Sequence, residues 1–171
     1  MVMSGLSGSG KSTTAQQLIA SSHAIRLRSD AVRKHLAGIS IHDRGSNDIY
    51  TPEMTDRTYS TLVELGVMLA KRGDRIILDA KFDRQAKRAE ALDAAKAARI
   101  PLTFVYCTAP ADVLKARVEQ RSGDIADATA AILARQTMDP FQDTDPVITL
   151  DTTSSAEVLW AQLAGVFSFL E

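Results

Sequence analysis

Residues 5–12 read Gly-Leu-Ser-Gly-Ser-Gly-Lys-Ser and match the pattern G-x-x-x-x-G-K-[ST], the P-loop that cradles nucleotide phosphates. Glycines let such a loop turn so that its N–H groups converge on one anion site. Lys11 can reach the β- and γ-phosphates, and the Ser12 hydroxyl can be a ligand of Mg²⁺. A flexible Gly/Ser loop is the structural alternative. The predicted nucleotide-binding residues are Gly5, Ser7, Gly8, Ser9, Gly10, Lys11, Ser12 and Thr13.

The segments around this loop alternate between short apolar runs and helical patterns. Such alternation predicts a parallel sheet covered by helices on both faces, with right-handed crossovers. Thr51 and Pro52 are typical of a helix start, and Asp83 and the pair Ser154/Glu157 are predicted as caps of later helices. Strands are predicted at residues 1–3, 24–28, 75–79, 101–108 and 147–150, and helices at 13–20, 31–37, 52–72, 84–98, 110–121, 126–138 and from 155.

Length and composition are those of one globular domain, residues 1–171. The formal net charge of −1 argues against broad non-specific binding to nucleic acid or anionic membranes. Cys107 is the only cysteine, which fits a reducing cytoplasm, and no apolar run approaches the length of a membrane span. Only four residues precede Gly5, which fits a domain excised from a longer protein or a natural start.

Two acids follow predicted strands and therefore belong at the same edge of the sheet as the P-loop. Asp79 ends an Ile-Ile-Leu strand and is placed like the acid that holds Mg²⁺ through water or binds the acceptor; otherwise it caps a turn. Asp30 can accept the proton of an acceptor hydroxyl, with Arg33 orienting an anionic group one turn later. The alternative for Asp30 is a simple helix N-cap.

Basic residues supply candidates for the charge that develops on a transferring phosphate. Arg117 and Arg121 share one helical face in a predicted lid of about residues 117–138; their alternative is two solvated arginines paired with Asp112 or Asp124. A further basic cluster is a solvated helix face or an acceptor-anion site: Lys81, Arg84, Lys87 and Arg88. Candidates for base recognition are Thr108, Arg135 and Gln136, and the histidines at 23, 35 and 42 are expected at the surface.

Four stretches together resemble the small P-loop kinases. They are residues 5–13 (Gly-Leu-Ser-Gly-Ser-Gly-Lys-Ser-Thr), 27–33 (Leu-Arg-Ser-Asp-Ala-Val-Arg), 76–80 (Ile-Ile-Leu-Asp-Ala) and 114–121 (Leu-Lys-Ala-Arg-Val-Glu-Gln-Arg). The arrangement is similar to polynucleotide 5′-kinases, and more so to the ATP-binding kinase-like domain joined to an aminoglycoside-phosphotransferase-like domain in bacterial bifunctional proteins. Zeta toxins, chloramphenicol phosphotransferase and gluconate kinase are more distant relatives. The resemblance covers residues 2 to about 150.

The resemblance implies a three-layer P-loop NTPase fold with a helical lid and a five-stranded parallel sheet of order 2-3-1-4-5. By position it implies that Lys11 and Ser12 serve phosphate and metal, and that Asp30 activates the acceptor hydroxyl. The matching acceptor and lid residues are Arg33, Asp79, Arg117 and Arg121. Lys81-Phe82 departs from polynucleotide kinases, which more often have an uncharged residue there.

These observations favour an ATP- or GTP-dependent, Mg²⁺-requiring kinase of a small-molecule hydroxyl. Two alternatives remain open: a 5′-hydroxyl polynucleotide kinase, and a nucleotide-binding regulatory module that hydrolyses slowly and serves a fused or partner domain. The near-neutral charge ranks the polynucleotide kinase below the small-molecule kinase.

Overall fold

The computed structural model describes residues 1–43, 45, 47–120 and 133–167. Strands are β1 (Val2–Ser4), β2 (Ile25–Arg28), β3 (Ile76–Asp79), β4 (Phe104–Thr108) and β5 (Val147–Asp151). Helices are α1 (Lys11–Ser22), α2 (Ser29–Leu36), α3 (Pro52–Ala70), α4 (Gln85–Ala98), α5 (Ala111–Glu119) and α6 (Ala156–Phe167), and a 3₁₀ turn covers Asn47–Tyr50.

The five strands form one parallel sheet in the order β2-β3-β1-β4-β5, which confirms the predicted fold class and strand order. Val2 of the central strand lies opposite Leu78 on one side and Phe104 on the other. All residues of β1 and β3 are buried. These strands have continuous apolar sequences because helices cover both of their faces.

Successive strand residues point to opposite faces of the sheet, so the core divides in two. Val2 and Leu78 pack on one face against α3 and α4, whereas Met3 and Ile77 pack on the other against α1 and α6. The result is a three-layer arrangement in which the carboxyl ends of all five strands share one edge. The P-loop leaves β1 at that edge.

Helix α3 begins and packs as its sequence predicts. The Thr51 hydroxyl accepts a hydrogen bond from Met54 N at 3.1 Å, and Pro52 occupies the first turn. Gly66 faces β3, where a Cβ atom would lie 2.8 Å from Leu78 Cδ2. The missing side chain therefore lets α3 pack closely on the sheet.

Several predicted boundaries are wrong because contacts from distant segments decide them. Arg84, not Asp83, precedes α4, and the Asp139 carboxylate accepts the hydrogen bond from Gln85 N at 3.0 Å. The Ser155 hydroxyl, rather than that of Ser154, accepts from Val158 N at 3.4 Å at the start of α6. Residues 134–138 are turn and irregular backbone instead of the predicted helix end. Among the described helices, none is long and apolar enough to cross a membrane.

Candidate active site

The P-loop joins β1 to α1 and is packed tightly against its neighbours. Gly5 has φ of +134°, and a Cβ atom there would lie 2.3 Å from the Cys107 carbonyl oxygen. A Cβ atom at Gly8, with φ of +81°, would lie 2.5 Å from the Leu114 carbonyl oxygen. Only glycine combines these conformations with such close backbone approach. Close packing against β4 and α5 is therefore enough to require glycine at the first and fourth positions of the motif.

The two residues predicted to hold Mg²⁺ lie beside each other. Ser12 Oγ donates to Asp79 Oδ2 at 3.3 Å, joining the first turn of α1 to the end of β3. Hydroxyl and carboxylate oxygens are the ligands that Mg²⁺ prefers, so the donor set fits this ion. Nowhere in the described part of the chain do three His, Cys, Asp or Glu side chains form a metal-binding group. Mg²⁺ in nucleotide sites usually keeps phosphate oxygens and waters among its ligands.

Arg26 belongs to this site and was missed by the sequence analysis. Its Nε donates to Asp79 Oδ2 at 3.0 Å, and its Nη2 forms an ion pair with the same oxygen. Both side chains are largely buried, with 14% of the Arg26 and 5% of the Asp79 side chain exposed. The alternating apolar and basic pattern of β2 places Arg26 on one strand face. Only the adjacency of β2 and β3 brings it to Asp79.

Asp30 lies in the first turn of α2, where the N-cap position is taken by Arg28. The alternative of a simple N-cap is therefore wrong. Arg28 pairs in register with Asp79, so Asp30 follows β2 at the same edge at which Asp79 ends β3. The Asp30 charge also reaches Tyr59, whose pKa is raised by burial first, then by Asp83 and, to a smaller degree, by Asp30.

Arg33 is buried and connects α2 to the residues that precede and begin α3. Its Nη1 donates to the Ile49 carbonyl at 3.0 Å and to Thr55 Oγ1 at 3.2 Å. The guanidinium carbon lies 4.9 Å from the centre of the Tyr50 ring. Arg33 Nε is buried without a hydrogen-bond partner. Contact of Arg33 with the acceptor stays a prediction.

The turn after β3, residues 80–83, is fastened to the P-loop and is here named the β3 turn. Gly5 N donates to the Lys81 carbonyl at 2.9 Å, and Ser4 Oγ donates to the same oxygen at 3.1 Å. Phe82 has φ of +41°, an unusual conformation for a bulky residue, and its N–H donates to Tyr59 Oη at 3.3 Å. Strain of this kind persists only where surrounding contacts over-determine it.

The basic cluster of residues 81–88 is divided by the fold. Arg84 is exposed, and the Lys81 ammonium pairs with Asp83 at 3.0 Å. Arg88 is completely buried and donates to the carbonyls of Phe82, Asp139 and Pro140 at 3.0, 3.0 and 2.6 Å. The expectation of a solvated helix face is wrong for Arg88, because α4 turns this position toward residues 139–141.

Arg117 donates hydrogen bonds to the P-loop and to the turn after β5. Its Nη1 donates to Thr152 Oγ1 at 2.8 Å and to the Gly8 carbonyl at 3.3 Å, and its Nη2 donates to the Thr152 carbonyl at 2.9 Å. The guanidinium thus joins α5, the P-loop and the turn after β5. Its predicted role on the transferring phosphate stays a prediction, and Arg121 lies outside the described residues.

Gln136 reaches the P-loop. Its Oε1 accepts from Ser7 N at 3.0 Å, and its Nε2 donates to Ser7 Oγ at 3.0 Å. Arg135 beside it is exposed. The Thr108 carbonyl accepts from Thr152 N at 3.0 Å and from Thr152 Oγ1 at 3.2 Å. Ser7, predicted to bind nucleotide, is therefore held by a side chain 129 positions later in the chain.

Comparison with known proteins identifies the family. A family model described as an AAA domain matches residues 1–140. The chain belongs to the AAA domain family. The adenylyl-sulfate kinase of Myxococcus xanthus (strain DK1622) is 34% identical over 170 residues, which cover 94% of this chain and 86% of that enzyme. With the P-loop and the Ser12–Asp79 pair in place, this AAA domain is a P-loop kinase.

Solved structures share the fold of this AAA domain. The APS kinase of Mycobacterium tuberculosis, in complex with AMPPNP and APS, has a TM-score of 0.71 at 24% identity and covers 99% of this chain and 95% of its own. A sugar kinase of Janibacter sp. HTCC2649 has a TM-score of 0.70 at 23% identity, with coverages of 96% and 92%. A gluconokinase of Sinorhizobium meliloti 1021 has a TM-score of 0.66 at 22% identity, with coverages of 98% and 91%.

These relationships confirm the resemblance to small P-loop kinases. The two more specific families that the sequence resembles, polynucleotide 5′-kinases and the aminoglycoside-phosphotransferase-linked domains, are not confirmed by them.

Proposed function

We propose that this P-loop kinase transfers the γ-phosphate of ATP to a hydroxyl group of a small molecule, with Mg²⁺ held at Ser12 and Asp79. The observation that carries the proposal is the 3.3 Å contact between Ser12 Oγ and Asp79 Oδ2 at the mouth of the P-loop. It joins the loop that would bind the triphosphate to the strand end that would face the acceptor. Bound Mg²⁺ would neutralise negative charge on the phosphate oxygens.

The protein's own groups have separable tasks in this proposal. Lys11, at the first position of α1, would place a positive charge at the terminal phosphates. Arg26 holds the Asp79 carboxylate in one orientation through two donors, so the acid is preorganised before any ligand binds. Asp30, at the same edge of the sheet, would accept the proton of the acceptor hydroxyl. Arg33 would orient the acceptor next to it.

A small molecule is the favoured acceptor class. The relatives named above are a kinase of adenylyl sulfate, a sugar kinase and a gluconokinase. A nucleic-acid 5′ end receives less support, because a net charge of −1 gives little general attraction to a polyanion. A regulatory module that only hydrolyses nucleotide is the other alternative.

The test is phosphate transfer from labelled ATP or GTP, with Mg²⁺, to a panel of acceptors. The panel contains adenylyl sulfate, gluconate, neutral sugars and an oligonucleotide with a free 5′-hydroxyl. Labelled product from a small molecule supports the proposal. Transfer to the oligonucleotide alone favours the polynucleotide kinase, and release of phosphate to water at the same rate with every acceptor favours the regulatory module.

Asp30→Asn tests the assignment of the base. We expect Mg²⁺–ATP affinity within about twofold of wild type and transfer lowered by roughly 10²–10⁴-fold, the usual contribution of a general base. Asp112→Asn is the matched control, since Asp112 also lies in the first turn of a helix but is exposed on α5. Undiminished transfer by Asp30→Asn would remove Asp30 from the mechanism.

A further inference from the structure

Residues 136–141, here named the strap, contact the P-loop at one end and the β3 turn and α4 at the other. The P-loop contact is made by both polar atoms of the Gln136 amide, Oε1 from Ser7 N and Nε2 to Ser7 Oγ. Ser7 is 7% exposed and Gln136 is half-buried, so this pair of hydrogen bonds is partly shielded from water. Two bonds from one planar amide set both the distance and the orientation of Ser7 relative to the strap.

The middle of the strap is bound to the start of α4. Asp139 N donates to the Asp83 carbonyl at 2.9 Å, and the Asp139 carboxylate accepts from Gln85 N at 3.0 Å. The bond from Gln85, followed by the charge of Arg84, lowers the pKa of Asp139. Asp139 thus binds the start of α4 through both its backbone and its side chain.

Arg88 completes the attachment from inside the protein. Its Nη2 donates to the carbonyls of Asp139 and Pro140, and its Nη1 donates to the carbonyl of Phe82. Its guanidinium carbon lies 4.2 Å from the centre of the Phe141 ring. The centre of the Phe141 ring lies 5.6 Å from the centre of the Phe104 ring, which is in the core. One buried cation therefore fixes the strap and the strained β3 turn together.

Both segments that Arg88 contacts, the strap and the β3 turn, are also hydrogen-bonded to the P-loop. The β3 turn reaches it through the Lys81 carbonyl and Gly5 N, and the strap reaches it through Gln136 and Ser7. No hydrogen bond or ion pair of the described residues joins Arg88 to the P-loop directly. Among the described residues, hydrogen bonds link Arg88 to that loop through the strap and through the β3 turn, whose Phe82 carbonyl also accepts from Ser4 Oγ at 3.2 Å.

We infer that Arg88 and Gln136 are positioning residues for the phosphate site, and that the strap transmits the position of Arg88 to Ser7. Burial lowers the pKa of Arg88, yet a guanidinium stays charged and its planar fork serves three carbonyls at once. A lysine has neither the fork nor the flat face for Phe141. The inference rests on the proposed function only in taking the P-loop as the site of phosphate binding.

The test is amide hydrogen exchange at Ser7 in the ligand-free protein, which needs no acceptor or nucleotide. Gln136→Met and Arg88→Lys are each expected to accelerate exchange at Ser7 about tenfold, the equivalent of one hydrogen bond. The double variant is expected to exchange no faster than Gln136→Met, because both act through the strap. The Val105 amide of β4, in the core of the sheet, is the internal reference for global unfolding.

Two variants are matched controls. Arg84→Gln removes the exposed ion pair with Asp139, and Gln142→Met changes an exposed glutamine beyond the strap. Both are expected to leave Ser7 exchange within twofold of wild type. Dissociation constants for Mg²⁺–ADP, measured by calorimetry, should rise about tenfold in Gln136→Met and Arg88→Lys and stay unchanged in the controls.

Wild-type exchange at Ser7 in folded Arg88→Lys would overturn the inference, as would additive effects in the double variant. If Arg88→Lys does not fold, Phe141→Leu replaces it: the ring beneath the guanidinium is lost while the hydrogen bonds of Arg88 remain. That variant should then accelerate Ser7 exchange, and wild-type exchange would count against the strap. If no nucleotide binds the wild type, the proposed function fails, whereas the exchange result still decides the role of the strap.

Discussion

Gly5 is the residue at which the P-loop is most tightly constrained. Gly5→Ala would combine an unfavourable φ with a Cβ atom 2.3 Å from the Cys107 carbonyl oxygen, which belongs to a central strand and cannot move far. We expect a loss of about 2–6 kcal/mol in the free energy of unfolding. Urea denaturation followed by circular dichroism measures it.

The control is Gly38→Ala. Gly38 also has positive φ, +71°, but its Cβ would meet nothing within 4 Å. It should cost only the backbone strain, about 1–2 kcal/mol. Equal losses at the two positions would show that contact with β4 is not what requires glycine at position 5.

The buried thiol of Cys107 should make the free energy of unfolding depend on pH. Burial raises the pKa of its thiol to about 11. In the unfolded chain a thiol ionises near about 8.5, so its burial stabilises the fold fully below that pH and progressively less as pH rises toward 11. Between pH 8 and 10, the free energy of unfolding should therefore fall more in wild type than in Cys107→Ala. Equal falls in urea titrations at the two pH values would contradict this.

Helix α3 is the element whose start is best explained by neighbouring residues in the sequence. Thr51→Ala removes the acceptor for Met54 N and should lower the free energy of unfolding by about 1 kcal/mol. In a chain of this length, that change corresponds to a fall of roughly 2–4 °C in melting temperature. Calorimetry measures it, with Ser60→Ala on the exposed side of the same helix as control. A loss in Ser60→Ala as large as that in Thr51→Ala would argue against the cap.

The ends of other elements are set by contacts with residues that are distant in the sequence. Helix α4 has its first N–H satisfied by Asp139, 54 positions away, instead of by the neighbouring Asp83. A carboxylate from elsewhere can cap a helix as well as a local one, and it leaves no trace in the local sequence. The irregular backbone of residues 134–138 has a similar origin, since Gln136 is bound to Ser7.

At the scale of the whole molecule, binding of nucleotide should stabilise the protein. Mg²⁺–ATP at 100 times its dissociation constant should add about 2.7 kcal/mol to the free energy of unfolding and raise the melting temperature by roughly 5–10 °C. Lys11→Met, which removes the charge at the start of α1, should abolish most of this shift. Thermal scans with adenosine, which lacks phosphates, provide the control. A shift of the same size with adenosine would contradict phosphate binding by the P-loop.

The sequence by itself determined the P-loop, the alternation of strands and helices, and the placement of Asp30 and Asp79 after strands. Each of these depends on neighbouring residues: turn chemistry, hydrophobic period and the direction of parallel strands. Tertiary structure alone decided that Arg26 pairs with Asp79, that Arg88 is buried and that Gln136 holds Ser7. Apart from the local bond between Arg88 and Phe82, these contacts join residues 51 to 129 positions apart in the chain. From the sequence alone, a charged side chain is expected to be exposed to water. Arg88 can be buried because the packing of α4 against residues 139–141 places carbonyl oxygens around its guanidinium.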